Sequence, residues 1–168
     1  MQDNQRQATL YAYLAGIIDG EGTIRIARNK LKSKPHWNYT YSAHISVGMS
    51  NKEVLELFQK TFGYKISVRK ECVPNRKTMY RWGTSGNNTT PKILKELLPY
   101  LIVKKKNAEL VIEFCETKQT CGYPKKLGLP KEELQRREFY FQEVKKLNAV
   151  GAAATTNRID TSDGEMIV

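Results

Sequence analysis

The chain has 168 residues, 40% apolar and 27% charged, the proportions of a globular protein with its own core rather than a disordered or fibrous chain. Its 28 Lys and Arg against 17 Asp and Glu give a net charge of +11, and a field of that sign attracts polyanions, nucleic acid first among them. Three cysteines without CxxC spacing, and no apolar run near the roughly 20 residues that span a bilayer, argue against a disulfide scaffold, a zinc ribbon and a membrane protein.

Met1 to Arg6 is polar and lacks the apolar stretch of a secretory signal, so a reducing intracellular compartment is expected. The charge is uneven. Over residues 149–168 Arg158 stands against Asp160, Asp163 and Glu165, a net of −2, so the first 148 residues hold +13.

Residues 8–19 (ATLYAYLAGIID) read as an apolar helix, with Gly20 and Gly22 bracketing its end. Thr23 to Arg28 alternates like a strand, and Asn29 to Asn38 is a basic loop. Thr40 to Met49 alternates again, with Ala43, Ile45, Val47 and Met49 on one face and Ser42, His44, Ser46 and Gly48 on the other. Ser50 reads as an N-cap with Glu53 as its capping-box partner, opening a helix that Gly63 stops after Phe62. Lys65 to Val73 and Thr78 to Ser85 form a second strand pair around a Pro74-Asn75 turn. Thr90-Pro91 starts a helix that carries Ile93, Leu94, Leu97, Leu98 and Leu101. Lys104 to Thr117 is helical, Gly122 to Pro130 breaks the pattern, and Glu132 to Leu147 is a last amphipathic helix. The expected fold is α+β: αββαββα with extra C-terminal helices, an antiparallel sheet covered on one face and free on the other. Residues 1–148 form one domain, and 149–168 a poorly packed tail.

The segment Leu14-Ala15-Gly16-Ile17-Ile18-Asp19-Gly20-Glu21-Gly22 carries two unfavourable choices. Gly16 and Gly20 share a helix face, where each glycine costs about 1 kcal/mol relative to alanine but lets a second backbone come close. Asp19 and Glu21 fall at a helix C-terminus, where the dipole disfavours acids by about 0.3–1 kcal/mol. A divalent cation would hold such carboxylates together with a freed backbone carbonyl.

As a string, the segment resembles the signature of the LAGLIDADG homing endonucleases, and the order of elements over residues 10–147 is similar to theirs. The resemblance implies an αββαββα fold whose free sheet face is a saddle over double-stranded DNA. One motif per chain implies a homodimer whose motif helices pack through Gly16 and Gly20. It implies Mg²⁺ at Glu21 and the Gly20 carbonyl, with Mn²⁺ able to substitute and Ca²⁺ supporting binding without cleavage. Asp19 takes a supporting role at the helix end. The stretch Pro99-Tyr100-Leu101-Ile102-Val103-Lys104 resembles the family segment that bears an active-site lysine, which makes Lys104 the match. Asn51, or Ser50 beside it, corresponds to a polar residue that orders solvent, and Lys52 is a further basic candidate.

A two-stranded ribbon in the major groove presents alternating side chains to base edges. With Ile24 and Ile26 inward, Arg25, Ala27 and Asn29 face DNA. Ser42, His44 and Ser46 follow on the second strand, Ser67, Arg69 and Glu71 on the third with Ile66 and Val68 inward, and Lys77, Met79 and Arg81 on the fourth. Lys30, Lys32, Lys34, Lys70, Lys125 and Lys126 suit phosphates. His36 and His44 without a cysteine pair make a poor zinc set.

The expected activity is Mg²⁺-dependent, site-specific double-strand cleavage of a long, near-palindromic DNA site. Its alternatives are an RNA maturase that assists intron splicing and a non-cleaving DNA-binding protein on the same fold. A basic ribosome-associated protein would leave the glycine-acid pattern unexplained. The expected setting is a chloroplast or mitochondrion, with a prokaryotic cytoplasm as the other choice.

Overall fold

The computed structural model describes residues 2–30, 39–69, 77–117 and 129–156. Helix α1 (Gln2–Glu21) runs into strands β1 (Gly22–Lys30) and β2 (Tyr39–Met49). Then come α2 (Lys52–Phe62), β3 (Ser67–Arg69), β4 (Met79–Ser85), α3 (Thr90–Leu97), a 3-10 turn (Leu98–Tyr100), α4 (Lys105–Glu116) and α5 (Lys131–Thr156). This is the αββαββα order with an added C-terminal helix. The strands pair antiparallel in the order β1-β2-β4-β3. No helix among the described residues is long and apolar enough to cross a membrane.

Period-two alternation builds the sheet's covered face. Ile24 and Ile26 of β1, Ala43, Ile45 and Val47 of β2 and Trp82 of β4 are buried. Leu14, Ala15 and Ile18 of α1 meet them at helical spacing, with Leu55 and Phe58 of α2 and Ile93, Leu94 and Leu97 of α3. The rings of Phe58 and Trp82 lie 4.8 Å apart between centroids, and the Trp82 indole donates to the Gly63 carbonyl. Each such large side chain contributes about 1.5–3 kcal/mol by leaving water. Thr90 Oγ1 donates to the Ala43 carbonyl, and Asn87 accepts from the Ala43 amide, so side chains serve the β2 backbone where β4 has ended.

Several boundaries differ from the sequence-based expectation. Helix α1 starts at Gln2 rather than residue 8 and runs through Gly20, which is therefore helical rather than a cap. Gly22 opens β1, and glycine fits there because a Cβ would stand 2.7 Å from the Ile18 backbone. The α2 N-cap is Asn51 rather than Ser50, its side chain accepting from the Glu53 amide at 3.0 Å. Strand β3 begins at Ser67 rather than Lys65. Val68 is 52% exposed rather than inward, because β3 is the sheet's short edge strand. Lys77 precedes β4 instead of lying within a strand. Helix α5 continues to Thr156, so the first part of the expected loose tail is helical. The Pro74-Asn75 turn, the loop core over 31–38, the break from Gly122 to Gly128 and the end of the tail lie outside the described residues.

Candidate active site and nucleic-acid interface

Helix α1 delivers its acids to the edge of the sheet, because β1 starts at the residue after Glu21. The two carboxylates have different surroundings. Both oxygens of Asp19 are engaged: Oδ2 accepts from the amides of Ile102 at 2.7 Å and Val103 at 3.2 Å, and Oδ1 from the amide of Lys104 at 2.8 Å. Glu21 is exposed, and among the described residues no hydrogen bond holds its carboxylate.

Lys104 returns the contact. Its ammonium donates to the Ile18 carbonyl at 2.8 Å and the Asp19 carbonyl at 2.7 Å, two of the acceptors that the end of a helix leaves unpaired. The positive group at the negative end of α1, and the carboxylate at the turn into α4, both follow the helix dipoles. Burial lowers the Lys104 pKa below the usual lysine value, opposed by the negative charges of Asp19 and Glu21. An ammonium with three donors has one left after these two bonds.

The free face of the sheet continues from this corner. A groove runs from Glu21 and Thr23 past Ser46 and Gly48 to Tyr80 and Arg81. It borders a second concavity lined by Arg25, His44, Lys65, Ser67 and Ser85. Arg25 stands opposite His44 in the β1–β2 register, and Ser67 opposite Arg81 between β3 and β4. The Arg81 guanidinium donates to Ser46 Oγ at 2.9 Å, and Ser67 Oγ donates to the Arg81 carbonyl. Burial lowers the His44 pKa below its usual value, helped by the charges of Arg25 and Arg81.

Of the residues singled out in the sequence, Glu21, Gly20 and Lys104 meet at the end of α1. Asn51 is exposed, and its side chain serves the start of α2. Arg25, His44, Ser46, Ser67 and Arg81 share the free face. Ser42 is half-buried opposite Ala27, and Asn29, near the strand end, is exposed opposite Thr40. Lys77 is exposed before β4, Arg69 pairs through its backbone with Met79, and Glu71 lies outside the described residues. A Cβ built at Gly16 or Gly20 meets nothing within 4 Å, so this face of α1 is bare. Thr23 and Ser85 also line the free face; extending the strand alternation two residues before Arg25 and four beyond Arg81 finds both.

For a divalent cation, the Glu21 carboxylate and the Gly20 carbonyl are hard oxygen donors of the right kind, both at the electronegative end of a helix. Among the described residues no group of three or more His, Cys, Asp or Glu is placed to hold a metal ion.

An open, arginine-bearing sheet face thus adjoins a helix that ends in an exposed carboxylate, within an αββαββα order of elements. The family model for the LAGLIDADG endonuclease matches residues 14–117. The chain belongs to the LAGLIDADG endonuclease family. A comparison with curated proteins finds no match. Among solved structures, the homing endonuclease I-CvuI, in complex with the I-CreI target in Mg²⁺ with its DNA not cleaved, is similar at 22% identity and a TM-score of 0.65, over 97% of this chain and 88% of that one. The archaeal intron-encoded homing endonuclease I-Vdi141I, complexed with DNA, is similar at 18% identity and a TM-score of 0.64, over 100% of this chain and 91% of that one. I-SmaMI bound to cleaved DNA is similar at 21% identity and a TM-score of 0.57, over 95% of this chain but 51% of that one. These likenesses show a shared fold.

Proposed function

We propose that this chain is a site-specific DNA endonuclease that works as a homodimer and hydrolyses phosphodiester bonds on both strands with Mg²⁺. The observation that carries the reading is the unengaged Glu21 carboxylate at the mouth of a groove that opens onto the arginine-bearing sheet face. Arg25, Arg81 and Lys65 offer the positive charge that phosphates and base edges require. Half of the longer I-SmaMI chain corresponds to this one, which supports two copies acting together. Solved structures of I-CvuI on DNA, one in Mg²⁺ and one in Ca²⁺, support a divalent cation.

Glu21 and the Gly20 carbonyl would hold that cation, with the remaining donors from the second copy, the DNA and water. A bound Mg²⁺ supplies activation of a nucleophilic water and stabilisation of the leaving oxygen. The chain's own part is to bind and orient. The sheet would fix the register of the duplex, and the Lys104 ammonium, with two of its donors spent on α1 carbonyls, would have its third for a phosphate oxygen.

The test is selection of cleaved and of bound sequences from a randomised duplex library. Cleavage of one family of near-palindromic sites in Mg²⁺ or Mn²⁺, binding without cleavage in Ca²⁺, and loss of cleavage with binding retained in Glu21→Gln are expected. Binding of wild type without cleavage in any of these metals would overturn the nuclease reading in favour of a DNA-binding protein, and preference for intron RNA would favour a maturase.

A further inference from the structure

The turn into α4 is held in an unusual way. Leu101 before it is buried, but Ile102 is 85% and Val103 73% exposed, so no side-chain packing fixes this stretch. What fixes it is one carboxylate, Asp19, gathering three consecutive amides across 83 to 85 residues of sequence. The last of those amides belongs to Lys104, whose ammonium reaches back to the α1 carbonyls of Ile18 and Asp19. Each helix therefore ties down the other, and the two ties pass through the same pair of residues. Those three charge-assisted hydrogen bonds, which are the stronger kind, fill three of the carboxylate's roughly four lone-pair directions and leave a cation only the remaining one on Oδ1.

We propose that Asp19 is a positioning residue that sets where the Lys104 ammonium stands and that it binds no metal. This rests on the endonuclease reading for its effect on rate, but the tie itself does not. The acid at the end of α1 is thereby explained without a cation, and Glu21 alone is left to carry one.

The experiment uses the full chain and the substitution Asp19→Asn. Amide exchange by NMR without DNA should quicken about tenfold or more at Ile102, Val103 and Lys104, while the β2 amides of Ile45 and Val47 keep wild-type protection. Single-turnover cleavage at saturating DNA should slow about 100-fold, the scale of a misplaced reacting group, with DNA affinity within about twofold of wild type. In a Lys104→Ala background the same change should slow cleavage by less than about twofold, because the two act as a unit. Calcium titrated into the protein–DNA complex should bind Asp19→Asn as it binds wild type and fail to bind Glu21→Gln. Unchanged exchange at 102–104, a full additional rate loss without Lys104, or calcium binding lost with Asp19 would each overturn the proposal. If wild type cuts no DNA, the nuclease reading fails alone, and the exchange measurement still decides the tie. If Asp19→Asn does not fold, Asp19→Glu, which keeps the charge but displaces the backbone, should show the same rate loss and the same lack of effect in the Lys104→Ala background.

Discussion

Arg81 is the best-placed side chain to read a base. Ser46 accepts from its guanidinium and Ser67 donates to its backbone carbonyl, so it is oriented before DNA arrives. A guanidinium so held has further donors to offer as a pair, the geometry that suits a guanine edge. Arg81→Ala should relax preference at one base pair in each half-site by about 1–3 kcal/mol, read from bound sequences selected in Ca²⁺. A uniform fall in affinity across all sequences would mark a phosphate contact instead. Glu21 and Lys104 were legible as a site because their residue types stand in recognisable strings. For Asp19 a supporting role at the helix end was legible but its partners were not, because they are backbone amides more than 80 residues away and carry no sequence signature. Asn51 shows the opposite limit, since a residue type suited to ordering solvent is equally suited to capping a helix, which is its observed contact.

Helix α5 grips the far end of the β1–β2 ribbon through Glu138. Arg28 donates to one of its oxygens and Tyr41 to the other, while Gln142 adds a bond along the helix. Arg28 also lies over the rings of Tyr39 and Phe141, 4.7 and 4.9 Å from their centroids. Burial pushes the Glu138 carboxyl up, but the three hydrogen bonds and the Arg28 charge prevail and hold it below its usual value. A carboxylate with a depressed pKa contributes stability that is present above its unfolded value, near 4.5, and is lost as pH falls through the folded one. Glu138→Gln should therefore cost about 1–2 kcal/mol by urea unfolding at about pH 7, and that difference should shrink by about pH 3.5. A difference independent of pH would refute the charge in this role. The ribbon itself was legible because one buried face forces strict alternation on Ile24, Ile26, Ala43, Ile45 and Val47. The ends of α1 and α5 were not. Residues 3–7 are exposed on every side and so show no periodicity. The Ala-rich stretch near 152–154 has helix propensity but no apolar face to announce it.

For the whole molecule, the bare face of α1 is the feature that one copy leaves unexplained. Gly16 and Gly20 sit inside a helix with open space where a Cβ would go, so nothing within the described residues requires glycine at either position. Alanine there should raise the stability of a single copy by up to about 1 kcal/mol per site through helix propensity alone. If two copies meet along this face, the same methyl groups intrude between closely approached backbones, and overpacking of that kind costs about 1–3 kcal/mol. The two effects have opposite signs, which separates them in one experiment. Gly16→Ala combined with Gly20→Ala should unfold at higher urea when dilute and monomeric, yet shift sedimentation equilibrium toward monomer and weaken cleavage of both strands together. Sedimentation identical to wild type with both alanines in place would remove α1 from the interface and leave its two glycines without a role.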